Sequence, residues 1–560
     1  MRIPLFLLLI GGLTFAQPLR IVPTRYTLRS QATDSLQHYG LTSNVVSEIR
    51  LQSDSLVWLG TGNGLSVLLD SVTIQTFMTT ANLTNKSPTQ LLPEGGVSAI
   101  AATGNKLFVA LAIVRDDVPV GNGVVYASNS TDSVVTWLYY DQPTDLADAD
   151  TIPFGDIGFV AALPITVPQM NVTYDMAFSG GYSETGIWVD VYYLWTASWA
   201  GGLRRYKLSD GSWERVPLPM DNQEELATCD ADAYEMIGNQ NVLKDFYLNP
   251  RDPQDGGNHN HKAFSILTYN DTIWVGTANG INRGIMGPQG CVNWEHYAYP
   301  QDGLSGNFVV GLALQRQGNQ RTIWAATVNS DIAGEQRGVS YTLNDGPTWY
   351  STLLGERAYN LTASTSGDPL ILVAAESGLW KSLDGNTWAR FKPAKQLISL
   401  KGDEILGDEV LTVALDKRHI YGTSDLLWIG TLDGVARSTD LHGSAWTIYR
   451  ANYDSLQVYV YPNPFSPLSH NVLNGEGYVH FHTGPVASSI VEMHVYNFAM
   501  EKVYFEKYNR QSATAGALKW NGRDFQGRLV DNGVYFINLK FSKTLAETPS
   551  NHWLKLIVVK

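Results

Sequence analysis

Residues 271–281 read DTIWVGTANGI and residues 55–65 read SLVWLGTGNGL, so one chain carries nearly the same phrase twice. In both copies a strand with alternating apolar residues precedes the phrase, a short apolar run leads to a Trp-x-Gly-Thr step, and a turn that contains glycine follows. Alternation with a period of two indicates a half-buried β-strand, and glycine permits the tight reversal into the next strand. Internal repetition indicates a modular architecture, which has to be settled before function.

Weaker forms of the phrase recur, and seven copies of one unit can be aligned. Each copy has four predicted strands, with the tryptophan on the second and a glycine turn before the third, and Phe108 and Leu372 take the place of the tryptophan in the second and sixth copies. The copies begin at Ser43, Gly95, Val172, Ala263, Phe308, Tyr359 and Glu409. Seven such units predict an all-β fold, a seven-bladed β-propeller over residues 17–452. A tandem of β-sandwiches and a ring of six or eight blades are the alternatives.

The repeats resemble the two-component-regulator propeller family, whose blades carry phrases like WIGT-x-x-GL. A second signature is similar to the Asp-boxes of sialidase-like and sortilin-like propellers: TLNDGPTW at 342–349, SLDGNTW at 382–388 and STDLHGSAW at 438–446. In those families the Asp caps a hairpin and the Trp packs between sheets. The resemblance therefore implies structural roles for Asp345, Asp384 and Asp440.

Composition limits the class of protein. The 560 residues include 51 Gly and 16 Trp, only 16% are charged, and the formal net charge is −14. This balance is typical of a turn-rich β protein. It argues against nucleic acid as a partner, because phosphates require a basic surface.

The first residues indicate export. Arg2 precedes a short apolar run, and the small residues Thr14 and Ala16 follow it, which predicts a secretory signal peptide at 1–16. A membrane anchor is the alternative, but the run is too short to span a bilayer, and no later stretch predicts a transmembrane segment. In an exported chain Cys229 and Cys291 could form one disulfide.

The composition changes after residue 452, and about seven short alternating runs predict an Ig-like β-sandwich at 456–560. The motifs YPNPF at 461–465, WNGRD at 520–524 and GVYF at 533–536 resemble the Ig-like domain of flagellar hook capping proteins and the C-terminal sorting domain of type IX secretion cargo. The resemblance implies passage across the outer membrane and release or attachment at the cell surface, with the secretion machinery as a partner through residues 456–560. An Ig-like accessory module on a periplasmic protein is the alternative.

Two insertions predict where a ligand could bind. Residues 141–171 and 220–260 both connect an outermost strand to the next innermost strand, so both should emerge on one face of the ring. The first contains five Asp and no Lys or Arg, and the second contains nine acids and two bases. We expect the ligand-binding site in these acidic loops.

Several side chains in and near the insertions are candidate ligands. Clustered carboxylates could hold Ca²⁺, and the densest groups are Asp145, Asp148 and Asp150, and Asp230, Asp232 and Glu235. Neither group copies the EF-hand loop, and a solvated acidic surface is the alternative, so no cofactor is expected with calcium as the one exception. His259 and His261 could bind a transition metal but lack a third ligand. Arg204 and Arg205 are expected on an exposed third strand.

Taken together, the sequence predicts a secreted or surface-displayed propeller that binds a glycan, a peptide or an envelope protein. No catalytic residue is assigned, because no catalytic motif is present. One alternative is a polysaccharide-acting hydrolase or lyase, since propellers can draw paired carboxylates from distant blades. Another is a component of the secretion or cell-envelope machinery. A detached extracellular sensor is a third, weakened because no kinase region accompanies the propeller.

Overall fold

The structure, a computed structural model, describes residues 40–52, 55–83, 88–183, 185–328, 334–391, 394–396, 403–422, 424–451, 458–483, 490–509, 517–542 and 548–560. The signal peptide predicted at 1–16 lies outside these ranges. The described residues form β-strands, turns and four short 3-10 helices, so the all-β prediction is confirmed. Among them, no helix has the length and apolar character that crossing a membrane would need.

Seven antiparallel units follow one another along the chain, each built from four consecutive strands, and we call them units 1 to 7; a parallel bridge between Gly64 and Gly96 joins units 1 and 2 in one sheet. Their strands are, for unit 1, Val46–Gln52, Leu56–Thr61, Gly64–Leu68 and Ile74–Phe77; for unit 2, Gly96–Thr103, Lys106–Arg115, Val118–Ala127 and Trp137–Tyr140; for unit 3, Thr173–Tyr182, Trp188–Ser198, Gly202–Lys207 and Ser212–Val216; for unit 4, Ala263–Tyr269, Thr272–Thr277, Gly280–Met286 and Val292–Tyr297; for unit 5, Phe308–Gln317, Gln320–Val328, Gly338–Thr342 and Tyr350–Thr352; for unit 6, Ala358–Ala363, Ile371–Ala375, Gly378–Ser382 and Ala389–Arg390; for unit 7, Val410–Asp416, Leu426–Thr431, Gly434–Ser438 and Trp446–Tyr449.

The units are arranged in a closed cycle. The first strand of each unit contacts the first strand of the next, and the first strand of unit 7 contacts that of unit 1. Asn44 joins the two ends, since its carbonyl accepts the Gly434 amide at 2.7 Å and its side chain accepts the Ala451 amide at 2.8 Å. Each sheet thereby buries both of its faces against neighbours, which explains the runs of buried Val, Ile and Leu on the inner strands.

The tryptophan of the repeated phrase has the same role in most units. Five of the units place it on the second strand, where its side chain is at most 3% exposed: Trp58, Trp195, Trp274, Trp324 and Trp428. In each of these five the indole N–H donates to a side chain on the same unit's first strand, for example Trp58 to Gln52 Oε1 at 2.6 Å and Trp324 to Gln315 Oε1 at 3.0 Å. The phrase therefore supplies both the apolar wedge and a partner for its one polar atom.

Every first strand also contains a β-bulge close to its beginning, a regularity that the sequence analysis did not find. The register against the second strand shifts by one residue in all seven units, and the extra residues are Ser47, Ser98, Tyr174, Phe264, Val310, Tyr359 and Leu411. A bulge turns the chain and increases the local twist. Its sevenfold recurrence shows that the units share backbone geometry as well as sequence.

The turns that carry the second signature differ in detail. Asp384 accepts the amides of Asn386 and Thr387 at 2.8 and 2.7 Å, and these bonds lower the pKa of its carboxyl. Asp440 likewise accepts the His442 amide at 2.7 Å. Asp345 does not cap its turn: it pairs with Arg321 at 2.5 Å, while Asn344 accepts the Thr348 amide. The expected capping role of Asp345 therefore belongs to Asn344.

The remaining strands within residues 40–451 are short additions to the cycle. Strands in the two insertions are Thr151–Phe154, Gly158–Ala161, Glu225–Ala227, Tyr234–Ile237 and Gln240–Leu243, and the 3-10 helices are Ala231–Ala233, Pro253–Asp255, His259–His261 and Pro288–Gly290. Two-residue strands elsewhere are Thr79–Thr80, Pro88–Thr89, Leu92–Pro93, Lys395–Gln396 and Asp403–Glu404. Glu225–Ala227 pairs with the outermost strand of unit 4 and extends that sheet to five strands.

The tail consists of two antiparallel sheets packed face to face. One contains Tyr459–Tyr461, Val479–His482 and Lys519–Trp520, and the other, in spatial order, contains Lys502–Asn509, Ile490–Tyr496, Gly533–Ser542 and Ser550–Val558. Between them lies an apolar core that includes Phe465, Met493, Trp520 and Ile537. We refer to them as the inner sheet and the outer sheet of the tail.

The inner sheet contacts unit 7 and the segment that precedes it through buried charges. Asp433 accepts hydrogen bonds from Arg450 at 2.9 Å and from the His480 imidazole at 3.1 Å, and it is 4% exposed. Burial alone would raise the pKa of Asp433, but the neighbouring Arg450 and His480 lower it strongly. Lys519 of the tail pairs with Glu404, which is fully buried. The tail is thus docked on the ring by its inner sheet, and the outer sheet faces away.

Candidate functional site on the upper face

The upper face of the ring is the face at which the first strand of each unit begins. Both insertions start from this face, but they do not extend over the centre of the ring. Residues of the two insertions pair with one another in a four-stranded sheet, in which Gly158–Ala161 runs parallel to Gln240–Leu243. The strand Thr151–Phe154 contacts the outermost strand of unit 3. This insertion sheet therefore packs along the flank of units 3 and 4.

Asp145 joins the first insertion to unit 3 through two buried arginines. Its carboxylate oxygens lie 2.9 Å from Arg204 Nη2 and 2.9 Å from Arg215 Nη1, and one of them also accepts the Ile165 amide at 2.8 Å. Burial alone would raise the pKa of Asp145, but the two guanidinium charges hold it below its ordinary value. Burial and the neighbouring Arg204 lower the pKa of Arg215 to about 10. Asp145 is therefore engaged in holding the insertion in place.

Arg204 and Arg205 are buried, and the expectation of an exposed strand is wrong for both. They are 5% and 0% exposed because the insertions cover the outer part of unit 3. Arg205 pairs with Glu214, and its guanidinium carbon lies 4.5 Å from the centroid of the Tyr193 ring. Phe154 and Trp195 complete an aromatic enclosure around it. Cation–π contact and one carboxylate stabilise this buried charge, and its role is structural.

The two acidic groups proposed for calcium lie apart. Asp148 and Asp150 precede the strand at one edge of the insertion sheet, whereas Asp230, Asp232 and Glu235 lie at or beside the strand at the other edge. Three strand spacings separate the edges, or about 14 Å. Asp230 caps a 3-10 helix by accepting the Asp232 amide at 2.9 Å. Within the described ranges, no group of three acidic, His or Cys side chains is close enough to share a metal ion.

The two histidines of the second insertion have different surroundings. His261 is 1% exposed, accepts the Asn249 amide at Nδ1 at 3.0 Å and donates from Nε2 to the Leu218 carbonyl at 2.9 Å. Burial lowers its pKa to about 4, so the ring is neutral and both nitrogens are occupied. His259 lies nearer the surface, with Nε2 3.3 Å from Asp252. The pair therefore does not present two free nitrogens to one ion.

A disulfide ties the second insertion to unit 4. Cys229 and Cys291 are bonded across a sequence separation of 62 residues. Cys291 follows the 3-10 helix Pro288–Gly290, which lies between the third and outermost strands of the unit. The bond fixes the insertion sheet beside unit 4, as the ion pairs of Asp145 fix it beside unit 3.

The upper mouth of the ring is lined by bulge residues from successive units. Phe264 packs against Tyr174 of unit 3 at a centroid distance of 5.8 Å and stacks on Phe308 of unit 5 at 5.7 Å. Across the ring, Tyr359 and Leu411 form a second buried apolar group with Val45. These apolar contacts join the inner strands at the level where a ligand would enter.

Charged side chains surround the mouth on the side of units 5 to 7. The Tyr359 hydroxyl donates to Glu409 Oε1 at 2.6 Å, and the Arg357 guanidinium lies 5.7 Å from the Tyr359 ring centroid. Burial, and to a smaller extent the charge of Glu376, raise the pKa of the Glu409 carboxyl. Glu376 itself is paired with Arg337 at 3.5 Å. We call these five residues the mouth cluster.

No sequence pattern predicted the mouth cluster. Its members come from three units and lie at the beginnings of strands or in short turns. Charged residues at such positions do not disturb the alternation of the strands, so their charges give no signal in the sequence. The one available signal was that Tyr359 and Glu409 begin aligned copies of the repeat, at the position that faces the ring centre. Residues of the predicted sites are instead found on the flank of the ring.

Comparison with known proteins gives distant likenesses. No protein-family model matches the chain, and no curated protein does. Among solved structures it is similar to PorZ, a surface component of the type IX secretion system of Porphyromonas gingivalis, with TM-score 0.31 and 14% identity over 91% of this chain and 70% of that chain. It is similar to the extracellular domain of the putative hybrid two component system BT4673 from B. thetaiotaomicron, with TM-score 0.23 and 11% identity over 93% and 82% of the two chains. YCF48 bound to D1 peptide gives TM-score 0.35 and 12% identity over 72% and 97%. TM-scores this low do not support an assignment of fold or function. The fold is therefore assigned from the strand pairing of this chain alone.

Proposed function

We propose that the chain is an exported seven-bladed β-propeller that binds a partner at its upper face and carries an Ig-like tail for sorting or attachment at the cell surface. The observation that carries the proposal is the closed cycle of seven first strands, each with a bulge at the same place. Such a ring presents strand beginnings and short turns from all its units on one face. The mouth cluster lies on that face.

Binding is favoured over catalysis in a deep channel by the packing of the mouth. Aromatic and aliphatic bulge residues from neighbouring units contact one another there. A partner that lies across the mouth can still reach Arg337, Arg357 and Glu376, whose charges are of both signs. We therefore propose a partner with both donors and carboxylates, a peptide or an envelope protein segment, with a glycan as the alternative.

The binding role is tested by probing the mature chain against immobilised peptide and glycan collections, then repeating the measurement with Arg357→Ala and Glu376→Ala. We expect both variants to lose the captured ligand while Arg390→Ala, exposed on the outermost strand of unit 6, keeps it. Equal binding by all three variants would place the site elsewhere.

The sorting role of residues 456–560 has its own test. The producing cell is fractionated while the intact C-terminus is followed with an antibody to the tail. A sorting domain predicts that the protein reaches the outer surface or medium, whereas an intact chain that stays periplasmic would reject sorting and favour an accessory module. Co-purification with an envelope complex at fixed stoichiometry would favour the machinery-component alternative.

A polysaccharide-acting enzyme is the second candidate, and one observation favours it. Glu409 is a half-buried carboxyl whose pKa is raised by burial, and a raised pKa is a property of a general acid, although the hydrogen bond that it accepts from Tyr359 acts in the opposite direction. If the site is catalytic, Glu409→Gln abolishes polysaccharide cleavage and leaves binding intact. Cleavage that survives this change would exclude Glu409 as the acid.

A further inference from the structure

The outer sheet of the tail exposes an aromatic surface that the ring does not cover. Four side chains on four adjacent strands form one row across it, in the spatial order Phe505, His494, Asn538 and Trp553. Phe505 is 40% exposed and Trp553 is 54% exposed. Three strand spacings separate these rings, or about 14 Å. We call this row and its neighbours the outer-sheet platform.

The two polar side chains in the middle of the row are buried and incompletely bonded. His494 is 7% exposed and Asn538 is 3% exposed, and neither His494 Nδ1 nor Asn538 Oδ1 has a hydrogen-bond partner among the described residues. Burial, together with nearby Lys540 and Lys502, lowers the pKa of His494, so its imidazole is neutral at pH 7. Neighbouring side chains cover both atoms, so a ligand on this face contacts the exposed rings on either side of them.

The next rows of the platform add further rings and a basic border. Tyr496 lies 5.6 Å from Trp553, and Phe536 lies 6.4 Å from Phe498, which is 77% exposed at the adjoining hairpin turn. The lysines on this face are Lys502, Lys507, Lys540 and Lys555. Only Lys507 has a carboxylate partner among the described residues, Glu492 at 3.1 Å. The platform therefore carries an excess of positive charge.

We propose that the outer-sheet platform binds an acidic polysaccharide, a chain of pyranose rings that bear carboxylate groups. Sugar rings present flat C–H faces that stack on Phe505 and Trp553. Their carboxylates meet Lys502, Lys540 and Lys555. The basic border is complementary to the carboxylates, and the separated aromatic rings suit the flat faces of successive sugar units, so the combination favours a carbohydrate over an apolar protein face.

The test uses the full mature chain and polygalacturonate as the probe, with affinity measured by calorimetry and by retardation in gels that contain the polymer. Trp553→Ala is expected to weaken binding at least about tenfold, because loss of an exposed aromatic anchor typically costs that much. Lys540→Gln with Lys555→Gln is expected to weaken binding and to flatten its dependence on salt. The matched control is Tyr350→Ala, which removes a 49% exposed ring from unit 5 and should leave affinity unchanged.

Each outcome decides the matter. Binding that falls with Trp553→Ala and with salt supports the platform. The proposal is overturned if the wild-type chain ignores polygalacturonate, if neutral dextran binds equally well, or if phosphatidylglycerol vesicles bind in its place. The inference does not depend on the proposed function of the ring, because a chain that is exported and binds through its mouth cluster but ignores polygalacturonate overturns this inference alone.

Discussion

Replacing Asp145 with asparagine should show how the first insertion is held on the ring. Asp145 contacts both Arg204 and Arg215, which are 5% and 2% exposed, and the substitution removes the charge that compensates them. Breaking a buried ion pair by removing one partner typically costs about 3 to 5 kcal/mol. We expect a loss of that size, concentrated in unit 3 and the insertion sheet, since the ring as a whole keeps its other contacts.

The measurement is urea unfolding of the mature chain, followed by hydrogen exchange of the amides at residues 141–171 and 203–216. Asp148→Asn is the matched control: it removes an exposed acid of the same insertion and should change stability by less than about 0.5 kcal/mol. A loss below about 1 kcal/mol for Asp145→Asn would refute the reasoning, because that is the value of an exposed pair.

The same residue predicts a pH dependence. The folded-state pKa of Asp145 is lowered, so its contribution is fully present above the unfolded value of about 3.9. It is lost as the pH falls through the lower folded value. Wild type and Asp145→Asn should therefore differ most near neutrality and converge in strong acid, and a constant difference across that range would contradict the assignment.

Three further predictions follow from other contacts. Replacing Cys229 and Cys291 with serine should lower stability by up to about 4 kcal/mol, because the bond closes a 62-residue separation, and thermal unfolding with and without reductant measures it. Asp433→Ala leaves buried charges unpaired between ring and tail, so limited proteolysis should release the tail faster than from wild type, and equal rates would show that the interface does not depend on this carboxylate. Tyr359→Phe removes the hydroxyl that helps to keep Glu409 ionised, so infrared titration should find the carboxyl pKa raised further, and an unchanged value would exclude the hydrogen bond.

Local sequence was sufficient for the repeated part of the fold. The spacing of Trp58 and Trp274 before their glycine turns predicted the second strand and its reversal, and both side chains are buried on that strand. This worked because a strand, its turn and the next strand lie within about ten residues and depend on alternation and glycine alone. A possible disulfide also followed from the sequence, because two cysteines are present in a chain that is predicted to be exported. The position of this bond in the fold did not follow from the sequence.

The candidate site could not be read in the same way. Asp145 is one exposed-looking acid in an acidic segment, and only the contact with Arg204 and Arg215, 59 and 70 residues away, makes it a buried anchor. The mouth cluster combines residues from three units, and the platform combines four strands of the tail. The burial of Asp145, the mouth cluster and the platform all depend on strand register and on which distant segments pack against each other.

The sequence by itself thus determined the all-β class, the repeated unit and the change of composition at the tail, because these are encoded in short-range alternation, turns and residue types. Only the tertiary structure decided that the two acidic insertions pair with each other on the flank, that Arg204 and Arg205 are buried, and that the charged mouth lies on the other side of the ring. The physical reason is that burial and charge compensation depend on contacts between segments that are distant in sequence. Local sequence patterns do not specify which distant segment packs against a given residue.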